Sequence, residues 1–537
     1  MFPARFHKPN DVGSTPVVAA NSKLLPWGFF IPLLTPSKSI VKIPPHLPKE
    51  VDMSFKPTKE QQAIVKGSQE LRLLKVSACA GSGKTSTLTL VANANPVSSL
   101  YLAFNKAMAL DAAEKFPDYV DCKTIHSMAF AKFGRQMMHK LSRPKGGYIN
   151  VAGTSAEVAR YYRMTDVTDD NGSPGISKVA LGLLVRRTVA IFESSDRESI
   201  SKADVPFGEV LKACRDTTLD RRELADITLR YAKRLWKDRI DLHSPVLITH
   251  DTYLKLYQLS KPTLHFKIIY LDEAQDVSDV MLDILLRQDC RIILVGDSRQ
   301  AIYGWRGAVN AMEKVECPEF KLTQSFRYGQ KIADVATALI NGDMQIQGFD
   351  KVDSIVGEVD YSKPYTIIFR TNSALLLQAV DLIEAGVAVS AEVDSKDFIK
   401  LLDSAKALYD GNMKAVKHDS VVPYSDWKEM VKAAEEEQEL KRVIKVISSG
   451  ECGTYINALR SLESRNADAH VVLTTGHKSK GRQFEQVELW GDFPNPAEKG
   501  ISTEEYNLLY VAATRAIKVL QVNSSVVSIC EQYEARY

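Results

Sequence analysis

Leu73-Leu-Lys-Val-Ser-Ala-Cys-Ala-Gly-Ser-Gly-Lys-Thr-Ser-Thr-Leu88 reads as a β-rich run, a glycine-bearing turn and the start of a helix. Gly81 and Gly83 let backbone N–H groups approach phosphates closely at a helix N-terminus. The loop Ala78-Cys79-Ala80-Gly81-Ser82-Gly83-Lys84-Thr85-Ser86 therefore forms a candidate nucleotide cradle. Lys84 reaches the β- and γ-phosphates, and the Thr85 hydroxyl suits Mg²⁺. Ala78 stands where the general pattern has its first glycine, so the bare match is imperfect, and a structural glycine turn is the competing reading. Cys79 is read as a small apolar filler, with a redox-sensitive thiol as the alternative.

Such a loop needs an acidic partner, expected on a neighbouring strand. Lys267-Ile-Ile-Tyr-Leu-Asp-Glu-Ala-Gln-Asp276 is a buried-strand pattern that ends in carboxylates. Asp272 suits the metal shell, because hard cations prefer carboxylate oxygen. Glu273 is placed to polarise an attacking water as general base. A solvated acidic turn is the alternative at that strand end. Taken together, the two segments predict a Mg²⁺-dependent nucleoside-triphosphate hydrolase. From Phe55 onward, strand-like and helical runs alternate, the rhythm of α/β domains with parallel sheets.

Further segments resemble, in order, the motifs of the UvrD/Rep branch of superfamily 1 DNA helicases. Lys59-Glu-Gln-Gln62 is similar to the Q motif, which implies that Gln61 reads the adenine edge. Leu100-Tyr-Leu-Ala-Phe-Asn-Lys-Ala107 and Thr124-Ile-His-Ser-Met-Ala-Phe130 resemble DNA-contacting motifs, which implies roles for Phe104, Asn105, Thr124 and His126. Asp272-Glu-Ala-Gln275 looks like the Walker B form of these enzymes. Val295-Gly-Asp-Ser-Arg-Gln-Ala-Ile-Tyr-Gly-Trp-Arg-Gly-Ala308 is similar to motif III, and Leu322-Thr-Gln-Ser-Phe-Arg327 to motif IV. Thr475-Gly-His-Lys-Ser-Lys-Gly481 resembles motif V, and Asn507-Leu-Leu-Tyr-Val-Ala-Ala-Thr-Arg515 motif VI. The resemblance covers about residues 55 to 525. With Leu247-Ile-Thr-His-Asp-Thr-Tyr-Leu-Lys-Leu-Tyr-Gln-Leu259 it is nearest in flavour to the F-box DNA helicase group and its phage and bacterial relatives. No F-box is visible, so no ubiquitin-ligase role carries over.

The resemblance implies two RecA-like parallel-sheet domains closing over one ATP. Arg327 and Arg515 become cis arginine fingers, each worth on the order of 10³-fold or more. Gln300 senses the γ-phosphate and passes its state to Tyr303, Trp305 and Arg306. Trp305 offers a stacking platform worth about 1–3 kcal/mol per base. The competing reading for Trp305 is a buried core tryptophan, although its setting, Ile-Tyr-Gly-Trp-Arg-Gly, is polar and punctuated by glycine. His477 joins the nucleic-acid set through motif V alone. Where the family continues motif V with a glutamate that contacts the nucleotide sugar, this chain has Gln483, which hydrogen-bonds without charge; the ribose contact is thereby in doubt.

Composition bounds the rest. At 537 residues the chain exceeds one ordinary core. Its net charge of +3 excludes a strongly basic binder, so any binding track is local. One candidate runs from Cys122 to Ala156, where acidic residues are absent and Lys132, Arg135, His139, Lys140, Arg143 and Lys145 accumulate; a solvated helix face explains it equally well. The run Glu435–Glu437 with Glu439 reads as helix surface. Seven scattered cysteines without metal-ligand spacing indicate reduced thiols inside a cell, cytoplasmic or, in a eukaryote, nuclear. No apolar run reaches the roughly 18–20 residues of a membrane span. The first 50 residues hold nine prolines. They read as a flexible tail that docks replication or recombination partners, or as a segment upstream of a start at Met53.

The expected layout is an extension over 1–54, a first domain over 55–340 with a helical insertion near 132–245, and a second over 341–537 with a reduced insertion near 395–468. The chain ends 22 residues after Arg515, which leaves no room here for a fused nuclease. The expected activity is ATP-driven movement on single-stranded DNA and at single-strand/duplex junctions, 3′ to 5′, by a monomer or weak oligomer. Replication, repair and recombination are the candidate settings. Two other readings stay open: a translocase that strips proteins from single strands with little unwinding, and a non-enzymatic DNA-binding scaffold.

Overall fold

The computed structural model describes residues 56–141, 153–169, 172, 174–215, 217–392, 395–434, 438–462, 469–495 and 501–535. The expectations for the extension 1–54, for Arg143, Lys145 and the run Glu435–Glu437, and for the side chains of Arg306 and Glu439 lie outside the described residues.

Two six-stranded parallel sheets carry the molecule, the fold class read from the sequence. The first contains β1 (Leu73–Ala78), β2 (Ser99–Leu102), β3 (Val120–Lys123), β4 (Ile268–Leu271), β5 (Arg291–Gly296) and β6 (Glu319–Leu322), in the spatial order β6-β1-β5-β4-β2-β3. Helices cover both faces, and for that reason β2 and β4 are buried at every position and, apart from Ser99, apolar or aromatic. The order corrects one expectation: the acidic strand β4 is not the neighbour of β1. β5 lies between them, paired to β1 from Leu73↔Ile292 to Ser77↔Gly296. The carboxylates after β4 thus face the phosphate loop across the end of β5, whose own Asp297 is also buried.

The second sheet contains β7 (Ile355–Val356), β8 (Tyr365–Phe369), β9 (Val389–Ala391), β10 (Val471–Thr475), β11 (Phe484–Leu489) and β12 (Ala516–Gln521), in the order β7-β12-β11-β8-β10-β9. Helix Gln330–Leu339, which the sequence reading put in the first domain, packs here: Ile332, Ala336 and Leu339 share a core with Leu508–Ala513 and Val526. The same core takes in Cys79, Ala80, Ile302 and Tyr328, so apolar contact is continuous from the phosphate loop into the second sheet.

Helices between 155 and 240 build a separate core around Val185, Phe192 and Leu235. Its one buried ion pair, Glu193 with Arg239, is satisfied further by Thr249 and Thr252. The helices from Ser395 to Ser461 instead share a core with Ile367, Phe369, Val471 and Leu473 of the second sheet, and so cap that sheet rather than standing apart. Among the described residues no helix is long and apolar enough to cross a membrane. All seven cysteines are free thiols.

Candidate nucleotide and nucleic-acid site

β1 delivers the chain into a turn that only glycine tolerates. Gly81 and Gly83 have φ of +80° and +75°, the left-handed region. A Cβ on Gly81 would fall 2.7 Å from both Arg327 Cβ and Ser325 Oγ. The loop is therefore clamped against the segment after β6, where Phe326 N–H donates to the Gly81 carbonyl at 2.9 Å and Ser325 Oγ to the Ala80 carbonyl at 2.9 Å. Ala78, Cys79, Ala80 and Ser82 are buried, and Ser86 is exposed. Ser82 Oγ is buried with no hydrogen-bond partner. Burial pushes the Cys79 thiol far above its ordinary range, which favours the filler reading over a redox-sensitive one.

Lys84 opens helix Lys84–Ala94, and its ammonium lies 2.7 Å from Glu273 Oε1. Burial alone would lower the Lys84 pKa; Glu273, Asp272 and Asp297 outweigh it and raise the pKa. Burial would likewise raise Glu273, but Lys84 and Lys480 bring its carboxyl down to about 2. Asp272 is raised by burial and by Glu273, and accepts from Tyr101 Oη at 2.6 Å and from the Glu273 N–H at 2.9 Å. Glu273 itself sits at φ +52°, a backbone position rare for a side-chain-bearing residue; Glu273 lines the cleft, while Asp272 is buried beside it.

The loop fits a nucleotide triphosphate on its own features: two left-handed glycines, an orphaned buried hydroxyl and a buried lysine. Asp272 and Thr85 are hard oxygen donors, the set a Mg²⁺ ion takes when phosphate and water complete its shell. Among the described residues no group of three or more His, Cys, Asp or Glu is placed to hold a metal.

The second sheet supplies the opposite wall. Arg515 is 1% exposed; its guanidinium donates to the carbonyls of Val511 and Arg482, to Thr514 Oγ1, and at 3.4 Å to Gln300 Oε1. Burial first, and Arg327 second, lower its pKa. Arg327 Nη1 donates to the Thr514 carbonyl at 2.7 Å, and its buried Nε has no partner. Neither arginine forms an ion pair with a carboxylate among the described residues. Two adjacent guanidinium groups so arranged favour an anion between the walls. Lys84, Glu273, Gln300, Arg327 and Arg515 all line one cleft of about 2140 Å³.

The sequence-predicted residues divide. Gln300 is buried and bonded to Asp297 Oδ2 at 2.7 Å, between the two walls. Gln61 lies beside the loop, yet its amide serves structure: Oε1 accepts from the Thr58 N–H at 3.0 Å in a capping box, and Nε2 donates to Thr87 Oγ1 at 3.1 Å. Gln483 is exposed and is not among the residues lining the cleft. Phe326, not singled out in the sequence, stands 40% exposed with its ring 3.7 Å from the position a Cβ would take on Gly83. An aromatic immediately before Arg327 was the available signal. Tyr510 was also missed: buried, it donates to Asp297 Oδ2 at 3.1 Å and accepts from the Ala80 N–H at 3.1 Å.

On the far side of the same cleft the aromatics gather. Phe104 stacks on Tyr303 with centroids 5.8 Å apart and planes 7° from parallel. Tyr303 Oη donates to the His477 carbonyl at 3.3 Å, and the His477 ring meets Trp305 edge-on at 6.4 Å. Trp305 is 64% exposed, which rules out the core-tryptophan reading. Asn105 and Thr124 spend their side chains as helix N-caps, accepting from Met108 N–H at 3.0 Å and Ser127 N–H at 3.1 Å. His126 pairs with Asp251 at 3.2 Å. In the basic stripe, Lys140 is buried against the carbonyls of Asp238, Arg239 and Asp241, whereas Lys132, Arg135 and His139 are exposed.

Comparison with known proteins agrees with this arrangement. The UvrD/REP helicase N-terminal domain matches residues 57–316, and the UvrD-like helicase C-terminal domain matches residues 395–526. F-box DNA helicase protein 1 of Schizosaccharomyces pombe is 31% identical over 527 residues, 88% of this chain and 58% of that protein. F-box DNA helicase 1 of Gallus gallus is 31% identical over 521 residues, 87% of this chain and 49% of that protein. ATP-dependent DNA helicase PcrA of Leuconostoc citreum is 24% identical over 292 residues, 50% of this chain and 37% of that protein. The chain thus spans about half the length of the curated relatives it matches.

Proposed function

Because the chain belongs to the UvrD-like helicase family, we propose that it is an ATP-hydrolysing DNA motor that moves along single-stranded DNA, 3′ to 5′, and separates duplex at single-strand/duplex junctions. One observation carries this reading: a single cleft holds the phosphate loop with its lysine, Arg327 and Arg515 with no carboxylate paired to them among the described residues, and an exposed aromatic row at its far side. Bound Mg²⁺ would supply charge neutralisation at the phosphates, with Asp272 and Thr85 as the residues that would hold it. The residues do the remainder. Lys84 would neutralise the phosphates, and Glu273 would stay ionised to accept a proton from water. Arg515, from the second sheet, and Arg327, from the segment after β6, would grip the departing charge, so that occupancy by the triphosphate draws the walls together. Phe104, Tyr303 and Trp305 present flat faces that any base can stack on, which gives grip without sequence preference.

Replication, repair or recombination is the proposed setting. A second reading, a translocase that displaces bound proteins with little unwinding, is favoured by the way residues 395–461 cap the second sheet instead of forming a freestanding lobe. Unwinding of 3′-tailed, 5′-tailed and forked duplexes beside displacement of a protein block from single strands tests both. Unwinding of the 3′-tailed and forked substrates supports the helicase reading, and displacement without unwinding the second. Unwinding restricted to 5′-tailed duplex would contradict the stated direction.

A further inference from the structure

Gln61 and Phe326 flank the same glycine of the phosphate loop. A Cβ on Gly83 would stand 4.0 Å from the Gln61 amide nitrogen and 3.7 Å from the Phe326 ring. The motif resemblance gives the base to Gln61, but a side chain that reads a base edge must present its hydrogen-bonding atoms to that edge. Gln61 is only 2% exposed. Its Oε1 accepts from the Thr58 N–H, and its Nε2 donates to Thr87 Oγ1, which in turn donates to the Gly83 carbonyl at 3.0 Å. The amide therefore braces the phosphate loop from inside the protein and has no surface left for a ligand.

The polar groups next to it are bonded within the protein as well. Glu60 accepts from the N–H and Oγ1 of Thr323 at 2.9 and 2.8 Å. Gln62 donates through Nε2 to the Pro57 carbonyl and through its N–H to the Thr58 carbonyl, both at 3.0 Å. On the other side of the loop, Gln324 Nε2 donates to the carbonyls of Ser325 and Gly348 at 2.9 and 2.7 Å. The exposed group beside Gly83 is instead the Phe326 ring, which Phe349 supports edge-on with centroids 5.6 Å apart.

A flat ring and a hydrogen-bonding edge discriminate very differently. Every base has a π-face, so stacking holds all of them. A site that hydrogen-bonds a polar group of its substrate rejects an analogue lacking that group on the order of 10⁴-fold or more. We infer that this chain does not read the base of the nucleotide it hydrolyses, so that GTP, CTP and UTP serve alongside ATP. The loop and the arginines hold the triphosphate, and Phe326 holds the base by its face. This inference rests on the reading of the cleft as the nucleotide site of a DNA motor, and it departs from the role that the motif resemblance implies for Gln61.

The test measures steady-state kcat/KM for ATP, GTP, CTP and UTP with oligo-dT present. Wild type is compared with Lys84→Ala, Gln61→Ala, Phe326→Ala and Phe326→Tyr. In wild type, GTP is expected within about threefold of ATP, and CTP and UTP, whose single rings cover less of Phe326, within about tenfold. Gln61→Ala should leave the GTP-to-ATP ratio within about twofold of wild type, because both nucleotides meet the same protein whatever the substitution costs in stability. Phe326→Ala should lower kcat/KM about tenfold for all four nucleotides, through KM, and Phe326→Tyr should not. A wild-type preference for ATP over GTP beyond about tenfold, or a preference that Gln61→Ala abolishes, overturns this inference and leaves the ATPase standing. ATP turnover no greater than that of Lys84→Ala overturns the motor reading, and this inference with it.

Discussion

The Arg327 guanidinium donates to the carbonyl of Thr514, the residue immediately before Arg515. The two arginines of the outer wall are thus tied into one unit, so their effects should not add. Arg327→Ala and Arg515→Ala are each expected to lower ATP turnover on the order of 10³-fold, and the double variant little further. Steady-state turnover of the three proteins checks this; a double variant slower by the product of the two single losses would mean that the arginines act independently.

Trp305 and Tyr303 should separate grip from chemistry. Trp305→Ala is expected to weaken oligo-dT binding by about 1–3 kcal/mol, with no change in affinity for a fluorescent ATP analogue. Loss of nucleotide affinity in that variant would place Trp305 in the nucleotide site instead.

Phe326 is better placed than Gln61 for the base contact that the motif resemblance implies for Gln61. Phe326→Ala is expected to weaken ATP binding about tenfold by removing a flat surface beside Gly83, since aromatic stacking on a base is worth about 1–3 kcal/mol. Gln61→Ala should lower the melting temperature, because it breaks the Thr58 capping box and removes the amide that donates to Thr87 Oγ1, at a cost of about 1–2 kcal/mol. Preference for ATP over GTP, measured in both variants, decides which side chain reads the base.

The Lys84–Glu273 pair carries a pH signature. The Glu273 carboxyl lies at about 2 in the folded protein against an ordinary 4.5. A depressed carboxyl adds stability that is complete above the unfolded value and is lost as pH falls through the folded one. Glu273→Gln should therefore be less stable than wild type at pH 7, by roughly 3 kcal/mol, and the gap should close between about pH 4.5 and 2. Denaturant midpoints across that range measure it; a gap independent of pH would show that the pair is not what depresses Glu273.

Much of this was legible before any coordinates. The glycine spacing around Lys84, the apolar run ending at Asp272 and the ordered later motifs led to the two-sheet fold and to the residues that share the cleft. What escaped the sequence is what depends on three-dimensional neighbours. The insertion of β5 between β1 and β4 is a matter of strand order, which no local pattern encodes. Helix Gln330–Leu339 carries an apolar face, but nothing in its residues says which sheet it faces. The motif resemblance implies ligand contacts for Gln61, Asn105 and Thr124; all three types also make good caps, and their side chains take part in capping here, which only the folded neighbours reveal. Tyr510 and Lys480 stood inside quoted motifs, but their meaning lies in contacts with residues 213 and 204 positions away.

The central claim is that two walls share one ATP and that DNA in the same cleft governs its use. ATP turnover by the whole chain, with and without single-stranded DNA, tests it most directly, with Lys84→Ala as the baseline. The account predicts turnover well above that baseline, raised at least about tenfold by single-stranded DNA and weakened by added salt as phosphate contacts are screened. Turnover no greater than that of Lys84→Ala, with DNA present, would contradict it.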